Sequence, residues 1–321
     1  MKNLLPIFGL LTVLLSACSN GKEKPDSSIS NEDLQSITLG IMPTLESFPF
    51  YVAKKKGIYD SLGVNIDFIC FNSANDRNAA FVTEQIDGMI IDYPSAVQLQ
   101  VHHPLALIMK NDGYFCFITG KGSALNQLNQ LEEKNIAVSR GTIIEYATDV
   151  VCHKAGISSY RNNRPEISQI PLRLSMLQYG QIDATFLPDP YATIAMKDGN
   201  RSLISTCELD IYMTGTAFSD KAIREKRREI TLLIKGYNLG VSYIQSHPQS
   251  KLNSLLTEAT GIPETLAGLI ILPSYTMATR PDSSNISKAQ EWLKEKGYLP
   301  HYRQNTNLVD TTFITSTNNK S

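Results

Sequence analysis

Apolar and polar positions follow two different periods along the chain, and segments of the two kinds alternate. Short apolar or period-two runs predict strands, whereas the stretches between them have apolar residues at helical spacing. The predicted strands are residues 36–41, 64–71, 88–92, 135–139, 166–172 and 183–187. The predicted helices between them are residues 48–56, 76–85, a helix from residue 94, 142–155 and 173–179. This succession predicts an α/β protein with parallel sheets and helices on both faces.

The pattern changes after about residue 212, where helical spacing dominates. The helices predicted there are residues 220–245, 248–260, 263–270 and 287–296. The last segment, residues 301–321, is polar and poor in apolar residues, so we expect a loose C-terminal tail.

One segment of the sequence has a close counterpart about a hundred residues later. QIDGMIIDYPSA (85–96) and QIDATFLPDPYA (181–192) each contain Gln-Ile-Asp, a small residue, three apolar residues and a polar loop that opens a helix. Ligands of open α/β sheets bind at the carboxyl ends of the strands. The repeat therefore predicts two similar lobes that face each other across a cleft, while Asp87 and Asp183 themselves are expected to be structural.

The N-terminus has the features of an export signal. Lys2 precedes an apolar run, residues 4–15, which is shorter than the ~20 residues of a membrane-spanning helix. The following Leu-Ser-Ala-Cys, residues 15–18, resembles the bacterial lipobox, in which the cysteine is acylated. We therefore expect a signal peptide at 1–17, a lipid on Cys18 and a flexible tether at 18–35, which makes the protein an exported bacterial lipoprotein anchored in the cell envelope. An ordinary secretory signal with an incidental cysteine is the alternative.

Charge and cysteine content narrow the possible partners. The net charge of −1 lacks the basic excess expected of a nucleic-acid-binding protein. Cys70, Cys116, Cys152 and Cys207 are isolated in sequence, and buried thiols are expected, although export permits disulfides. The neighbouring His102 and His103 diverge on any regular element, so no metal site is expected, and no cofactor.

Several segments together resemble a known family. They are ITLGIMP, PFYVAKKKGIYDSLGVNIDF, NDGYFCFITGKGS, LNQLEEKNIAVSRGT and GQIDATFLPDPYA. In this order they resemble the solute-binding proteins of ABC importers in the group that binds sulfonates, taurine, nitrate and thiamine-type pyrimidines. The resemblance implies a type 2 periplasmic-binding-protein clamshell, with two Rossmann-like α/β lobes joined by a two-crossing hinge. The lobes would be residues 36–118 with 212–300, and residues 119–211, with crossings near 117–121 and 206–212.

The resemblance also implies partners and a binding site. The partners would be an ABC permease with its ATPase and a small molecule, and the receptor would be a monomer. The loops of the cleft would supply the ligand-binding residues Thr44, Leu45, Phe48, Ser73, Asn75, Asp92, Tyr93, Asp112, Tyr114, Arg140, Thr142, Glu145, Asp189 and Tyr191. Phe48 and Tyr93 have packing as an alternative role, and Thr142 has helix capping.

The charges in these loops favour one ligand class. Asp92, Asp112, Glu145 and Asp189, with Glu46 nearby, outnumber Arg77 and Arg140. Because enclosed carboxylates need partners, this balance favours a hydrogen-bond-donating or cationic ligand, such as a thiamine-type aminopyrimidine. A sulfonate, taurine or nitrate-type anion is the alternative, if Arg140 pairs with Asp112 and the other carboxylates point outward.

Two other functional classes fit the sequence less well. Pyridoxal-phosphate-consuming pyrimidine synthases belong to the same fold group. These enzymes carry a run of consecutive cysteines, which is absent from this sequence. A carbohydrate-binding or adhesion lipoprotein is the other, and the single tryptophan, Trp292, argues against sugar stacking. The sequence therefore predicts a receptor and not an enzyme.

Overall fold

The computed structural model describes residues 34–158, 161–300 and 307–315. Cys18, the lipobox and the signal peptide lie outside these residues, as does nearly all of the predicted tether. None of the helices in the described ranges is both long and apolar enough to span a membrane.

Nine strands are named in the described residues. They are β1 (Ile37–Ile41), β2 (Ile66–Cys70), β3 (Gly88–Asp92), β4 (Leu105–Lys110), β5 (Phe115–Thr119), β6 (Ile136–Ala137), β7 (Ala184–Pro188), β8 (Arg201–Ser205) and β9 (Thr214–Ser219). They form two sheets, one in each lobe, with the strand orders β2-β1-β3-β9-β4 and β6-β7-β5-β8.

Helices follow most of the strands. They are α1 (Phe48–Lys55), α2 (Ile58–Ser61), α3 (Ala74–Val82), α4 (Tyr93–Leu99), α5 (Ile143–Lys154), α6 (Ile170–Gln178), α7 (Tyr191–Lys197), α8 (Asp220–Glu225), α9 (Arg227–Ser246), α10 (Asn253–Thr260), α11 (Glu264–Ala267), α12 (Ser283–Glu295) and α13 (Thr312–Thr315). Short 3₁₀ helices lie at Leu45–Ser47, Leu128–Gln130 and Gln249–Lys251.

The first sheet is mixed, not parallel as the sequence pattern predicted. Strands β2, β1 and β3 are parallel, but β9 is antiparallel to both β3 and β4. Strand β9 returns from the second lobe in the opposite direction and fills the gap between β3 and β4. In the second sheet only β6 and β7 are parallel, and β5 is antiparallel to β7 and β8.

Both faces of the first sheet are covered by helices. Neighbouring residues of β3 point to opposite faces: Met89 and Ile91 pack in one apolar cluster, with α4 and α12, and Ile90 packs in the other, with α1 and α9. The fully buried strand therefore reads as a continuous apolar run.

The chain passes between the lobes twice, at residues 111–114 and at residues 206–213. The predicted first crossing, residues 117–121, is wrong. Strand β5 is buried at all five positions and is hydrogen-bonded to a strand on each side, so it lies inside the second sheet. The predicted second crossing lies within the observed one.

Two predicted elements differ in type or extent. Residues 166–172 were expected to form a strand, but Glu166 makes only an isolated bridge to Val138, and α6 begins at Ile170. Pro171 favours this helical start, because its missing N–H is not needed in the first turn. The single helix predicted over residues 220–245 is two helices, α8 and α9.

The described part of the C-terminal tail is packed, which corrects the expectation of a loose tail. Val309 forms a bridge with Leu107 of β4, and the Leu107 N–H donates to the Leu308 carbonyl over 2.7 Å. Phe313 and Ile314 are buried in the first lobe. Few apolar residues occur in this tail, but these few are placed where β4 needs an outer partner.

Cysteine burial also differs from the expectation. Cys116 and Cys152 are buried free thiols, whereas Cys70 and Cys207 are exposed free thiols. Cys70 ends the edge strand β2, where its side chain is partly open to solvent.

Candidate functional site

The loops that leave the carboxyl ends of the strands meet between the two lobes. They enclose a cavity of about 60 Å³. Its polar wall in the first lobe consists of Thr44, Glu46, Arg77, Asp92 and Thr214. Its polar wall in the second lobe consists of Ser139, Thr142, Ser168 and Arg173. Apolar side chains such as Met42, Phe115 and Ile143 complete the wall, so the site is a small pocket with a few polar groups.

Hydrogen bonds to backbone carbonyl groups join the lobes around this cavity. The Leu45 N–H donates to the Asp189 carbonyl over 3.3 Å, and the Ile170 N–H donates to the Asn72 carbonyl over 3.0 Å. The Gln98 side-chain amide donates to the Gly141 carbonyl over 2.6 Å. The cleft is therefore closed.

Arg77 is the cation of the first lobe's wall, and it is 3% exposed. Its Nη1 donates to the Ile90 carbonyl over 3.0 Å, and its Nη2 lies 3.9 Å from Oδ2 of Asp92. Burial lowers the pKa of Arg77 to about 10, against the opposing effects of Asp92 and Glu46. The guanidinium is thus charged at neutral pH and partly balanced by Asp92.

Arg173 is the cation of the second lobe's wall, and it is 1% exposed. Its Nη1 donates to the carbonyls of Ile167 and Ser168 over 2.8 and 3.1 Å, while its Nε has no hydrogen-bond partner. Burial lowers the pKa of Arg173 to about 10, and the charge of Glu166 opposes that effect. In the described part of the chain no carboxylate forms an ion pair with Arg173, so its charge is left largely uncompensated.

Glu46 is the second carboxyl group on the wall, and it is 5% exposed. Burial raises the pKa of Glu46, and the charge of Asp189 raises it further. A hydrogen bond with the Thr44 side chain acts in the opposite direction and lowers this pKa. Gly113 leaves room for the Glu46 side chain, because a Cβ at residue 113 would collide with Cγ of Glu46. Burial therefore disfavours the ionised form of Glu46 in the cavity.

Asp92 connects the two walls. Its Oδ1 accepts the Ser95 N–H over 3.0 Å, which caps α4, and also the Ile143 N–H over 3.2 Å, at the N-terminus of α5. Carboxylates are stabilised at helix N-termini by the free N–H groups there. Asp92 thus uses a donor of the opposite lobe.

Three of the residues predicted from sequence lie on the cavity wall: Thr44, Asp92 and Thr142. Thr142 also caps α5, because its hydroxyl accepts the Ile144 N–H over 3.2 Å. Both of its anticipated roles are therefore compatible with its position.

The other predicted charged residues lie outside the wall and have partners of their own. Asp112 accepts from the N–H and hydroxyl of Thr276 and pairs with Lys110. Asp189 accepts from Thr193 on α7. Glu145 accepts the Gly141 N–H over 2.8 Å. Arg140 is exposed and pairs with Glu166.

The remaining predicted residues lie in the core or next to the cleft. Leu45, Phe48 and Tyr93 are buried in the first lobe. Ser73 caps α3, and Asn75 is exposed beside it. Tyr114 donates its hydroxyl to Asp189 over 2.8 Å, and Tyr191 is half-buried at the start of α7.

Sequence reasoning missed Arg173, Ser139, Ser168 and Thr214. Arg173 is the only charged residue in IPLRLSMLQ, the sequence of α6. A single arginine in an apolar helix was a usable signal, because such a charge is rarely buried without a reason.

The comparisons with known proteins agree with this architecture. A model of the NMT1-like family matches residues 30–237. A putative ABC transporter periplasmic binding protein of Brachyspira hyodysenteriae is 23% identical over an alignment of 262 residues, which covers 76% of this chain and 73% of that protein.

Two solved structures share the fold at low sequence identity. The zinc-bound ligand-binding component of an ABC-type import system from Staphylococcus aureus has a TM-score of 0.76 at 15% identity, covering 88% of this chain and 98% of that one. The alkanesulfonate-binding protein SsuA of Xanthomonas axonopodis pv. citri, bound to MOPS, has a TM-score of 0.70 at 15% identity, covering 83% and 94%. Because the family model matches well over half of the chain, this protein belongs to the NMT1-like family, and it has the periplasmic-binding-protein fold.

Proposed function

We propose that this protein is the solute-binding receptor of an ABC importer and that its ligand is a small anion. The observation that carries the ligand class is the pair of buried guanidinium groups, Arg77 and Arg173, on opposite walls of the interlobe cavity. A buried cation without a partner is unfavourable by several kcal/mol, and a bound anion offsets that penalty.

The balance of charge supports an anion and not the amine-bearing ligand favoured by the sequence. That earlier preference required four carboxylates on the wall, and of these only Asp92 is there. Asp92 is paired with Arg77, and burial disfavours the ionised form of Glu46. Arg173 is left as the dominant charge, so the sulfonate, taurine or nitrate-type alternative is the better fit.

The size of the cavity supports the same class. Its 60 Å³ has room for about four to six water-sized groups, at about 10–15 Å³ each. An anion with few non-hydrogen atoms fits this space, whereas a substituted aminopyrimidine needs a wider cleft. A metal ligand has less support, because no group of three or more His, Cys, Asp or Glu is placed to hold an ion within the described ranges.

Calorimetric titration tests the ligand class. Purified protein is titrated with nitrate, ethanesulfonate, taurine and 4-aminopyrimidine. We expect binding of an anion and a loss of roughly 10- to 100-fold in affinity for Arg173→Gln, because a hydrogen bond to a charged group contributes about 1.5–3 kcal/mol. Arg140→Gln, at an exposed arginine outside the wall, is the matched control. Binding of 4-aminopyrimidine alone, unaffected by Arg173→Gln, would contradict the anion proposal.

Membrane attachment through Cys18 belongs to the same proposal. A receptor tethered by two acyl chains stays beside its permease, since two chains anchor firmly where one does not. Cell fractionation of a Cys18→Ala variant should show release from membranes or an unprocessed precursor. Unchanged membrane attachment contradicts lipidation and leaves the ligand proposal intact.

A further inference from the structure

Helix α12 and the residues after it contact helix α5 of the second lobe through a polar cluster. We call this cluster the clasp and define it as Trp292, Lys296 and Tyr298 on one side and Glu145 and Asp149 on the other. Lys296 Nζ lies 3.3 Å from Glu145 Oε1 and 3.1 Å from Asp149 Oδ2. The Trp292 indole N–H donates to Asp149 Oδ2 over 2.8 Å. The Tyr298 hydroxyl is 3.0 Å from Glu145 Oε2.

The two sides of the clasp belong to different lobes. Helix α12 packs on α4 of the first lobe, with Leu293 in the same apolar cluster as Val97. Helix α5 packs on β7 of the second sheet. The clasp therefore joins the two lobes.

Burial makes these contacts stronger than surface ion pairs. The side chains of Glu145 and Lys296 are 5% and 26% exposed. Partly buried pairs are screened less by salt than exposed ones. An aromatic contact adds to them, because Tyr146 of α5 meets Trp292 edge-on at 5.6 Å between ring centroids.

The clasp also accounts for Glu145, which the sequence assigned to the ligand. Its carboxylate accepts from the Gly141 N–H as well as from Tyr298, so it connects the loop before α5 to the segment that follows α12. This loop leads directly into Thr142 on the cavity wall.

We propose that the clasp holds the lobes together independently of ligand and thereby sets the fraction of receptor that is closed. The apparent dissociation constant of a ligand for the closed form is its intrinsic value divided by the closed fraction. Weakening the clasp therefore lowers apparent affinity without changing any group on the cavity wall.

The test uses ligand-free protein, so its outcome is independent of the ligand class. Trp292 is the only tryptophan of the chain, and its emission reports on the clasp directly. We expect Lys296→Met and Tyr298→Phe to shift the emission to the red, to increase quenching by acrylamide and to enlarge the radius of gyration measured by small-angle scattering. Lys296→Arg, which keeps the charge, should stay close to wild type.

Two variants control for the chemical changes themselves. Lys294→Met makes the same substitution at an exposed position of α12, and Tyr179→Phe removes a hydroxyl from a tyrosine that is 83% exposed. If Lys296→Met does not fold, the comparison of Tyr298→Phe with Lys296→Arg tests the proposal instead. An unchanged radius of gyration in folded Tyr298→Phe and Lys296→Met, or a wild-type protein already as open as they are, overturns the proposal.

Discussion

The carboxylate of Asp92 in the first lobe accepts a hydrogen bond from the backbone N–H of Ile143 in the second lobe, over 3.2 Å. The same carboxylate caps α4 and pairs with buried Arg77. One side chain thus combines helix capping, charge compensation and a contact between the lobes.

Replacing Asp92 should destabilise the protein strongly. In Asp92→Ala the charge of Arg77 stays buried without its partner, so we expect a loss of about 3–5 kcal/mol in the free energy of unfolding, measured with urea. The control is Asp282→Ala, which removes an exposed cap from α12 and should cost about 1 kcal/mol. Equal losses in the two variants would show that Asp92 acts as a cap only.

Gly141 should favour closure of the lobes as well as the backbone conformation of its loop. Its φ of +68° is in the left-handed region, and a Cβ would lie 2.6 Å from Nε2 of Gln98 in the other lobe. Gly141→Ala should displace Gln98, break its bond to the Gly141 carbonyl and enlarge the radius of gyration. Gly156→Ala shares the strain, at φ +70°, but meets nothing within 4 Å, so it should lose about 1 kcal/mol of stability without opening. Identical scattering from the two variants would contradict this prediction.

The stability contributed by Asp149 should depend on pH in the acid range. Burial alone would raise the pKa of Asp149, but the Trp292 N–H, Arg164 and Lys296 outweigh it and hold the pKa below its ordinary value. A depressed pKa stabilises the folded state above the unfolded value, near 3.9, and this contribution disappears as pH falls through the folded value. The difference in unfolding free energy between wild type and Asp149→Asn should be constant at neutral pH and decrease below about pH 4. A difference in unfolding free energy that stays constant in strong acid would contradict this prediction.

The C-terminal segment should contribute to the stability of the first lobe. Phe313 is 1% exposed and packs beneath the Arg227 guanidinium. Phe313→Ala should lower the free energy of unfolding by about 3–5 kcal/mol. Leu269→Ala, at a leucine that is 52% exposed, should change it by no more than about 0.5 kcal/mol. A small effect of Phe313→Ala would mean that the tail packs without stabilising.

The internal repeat shows what the sequence was able to predict. Asp87 and Asp183 have the same structural role in the two lobes, since each accepts a backbone N–H at the start of a neighbouring strand or extended segment, from Thr38 and Asn135, over 2.8 Å. Local spacing was enough to find this equivalence, because the repeated segments are continuous in sequence.

Features that depend on distant parts of the chain were not predictable in the same way. Strand β9, TGTAFS, was not predicted, because Ala217 and Phe218 are its only apolar side chains. Its partners β3 and β4 determine that it forms a strand and lies antiparallel between them. The role of Arg173 likewise depends on closure of the cleft, which places α6 of one lobe against the loops of the other. Of the four predicted carboxylates, Asp112 and Asp189 lie in loops, whereas Asp92 ends β3 and Glu145 lies in the first turn of α5. The directions of these side chains depend on distant partners such as Thr276 and Tyr298.

The position of β9 has a consequence for the order in which the lobes can form. The second sheet is built from one continuous stretch, residues 115–205, whereas the first sheet lacks a central strand until residues 214–219 exist. On a chain that emerges N-terminus first, the second lobe can therefore complete its hydrogen bonding before the first. Until β9 arrives, the apolar strand β4, LALIMK, has no neighbour in its sheet. An unpaired apolar strand of this kind is an aggregation hazard, so the first lobe is the part of a nascent chain that most needs protection by a chaperone.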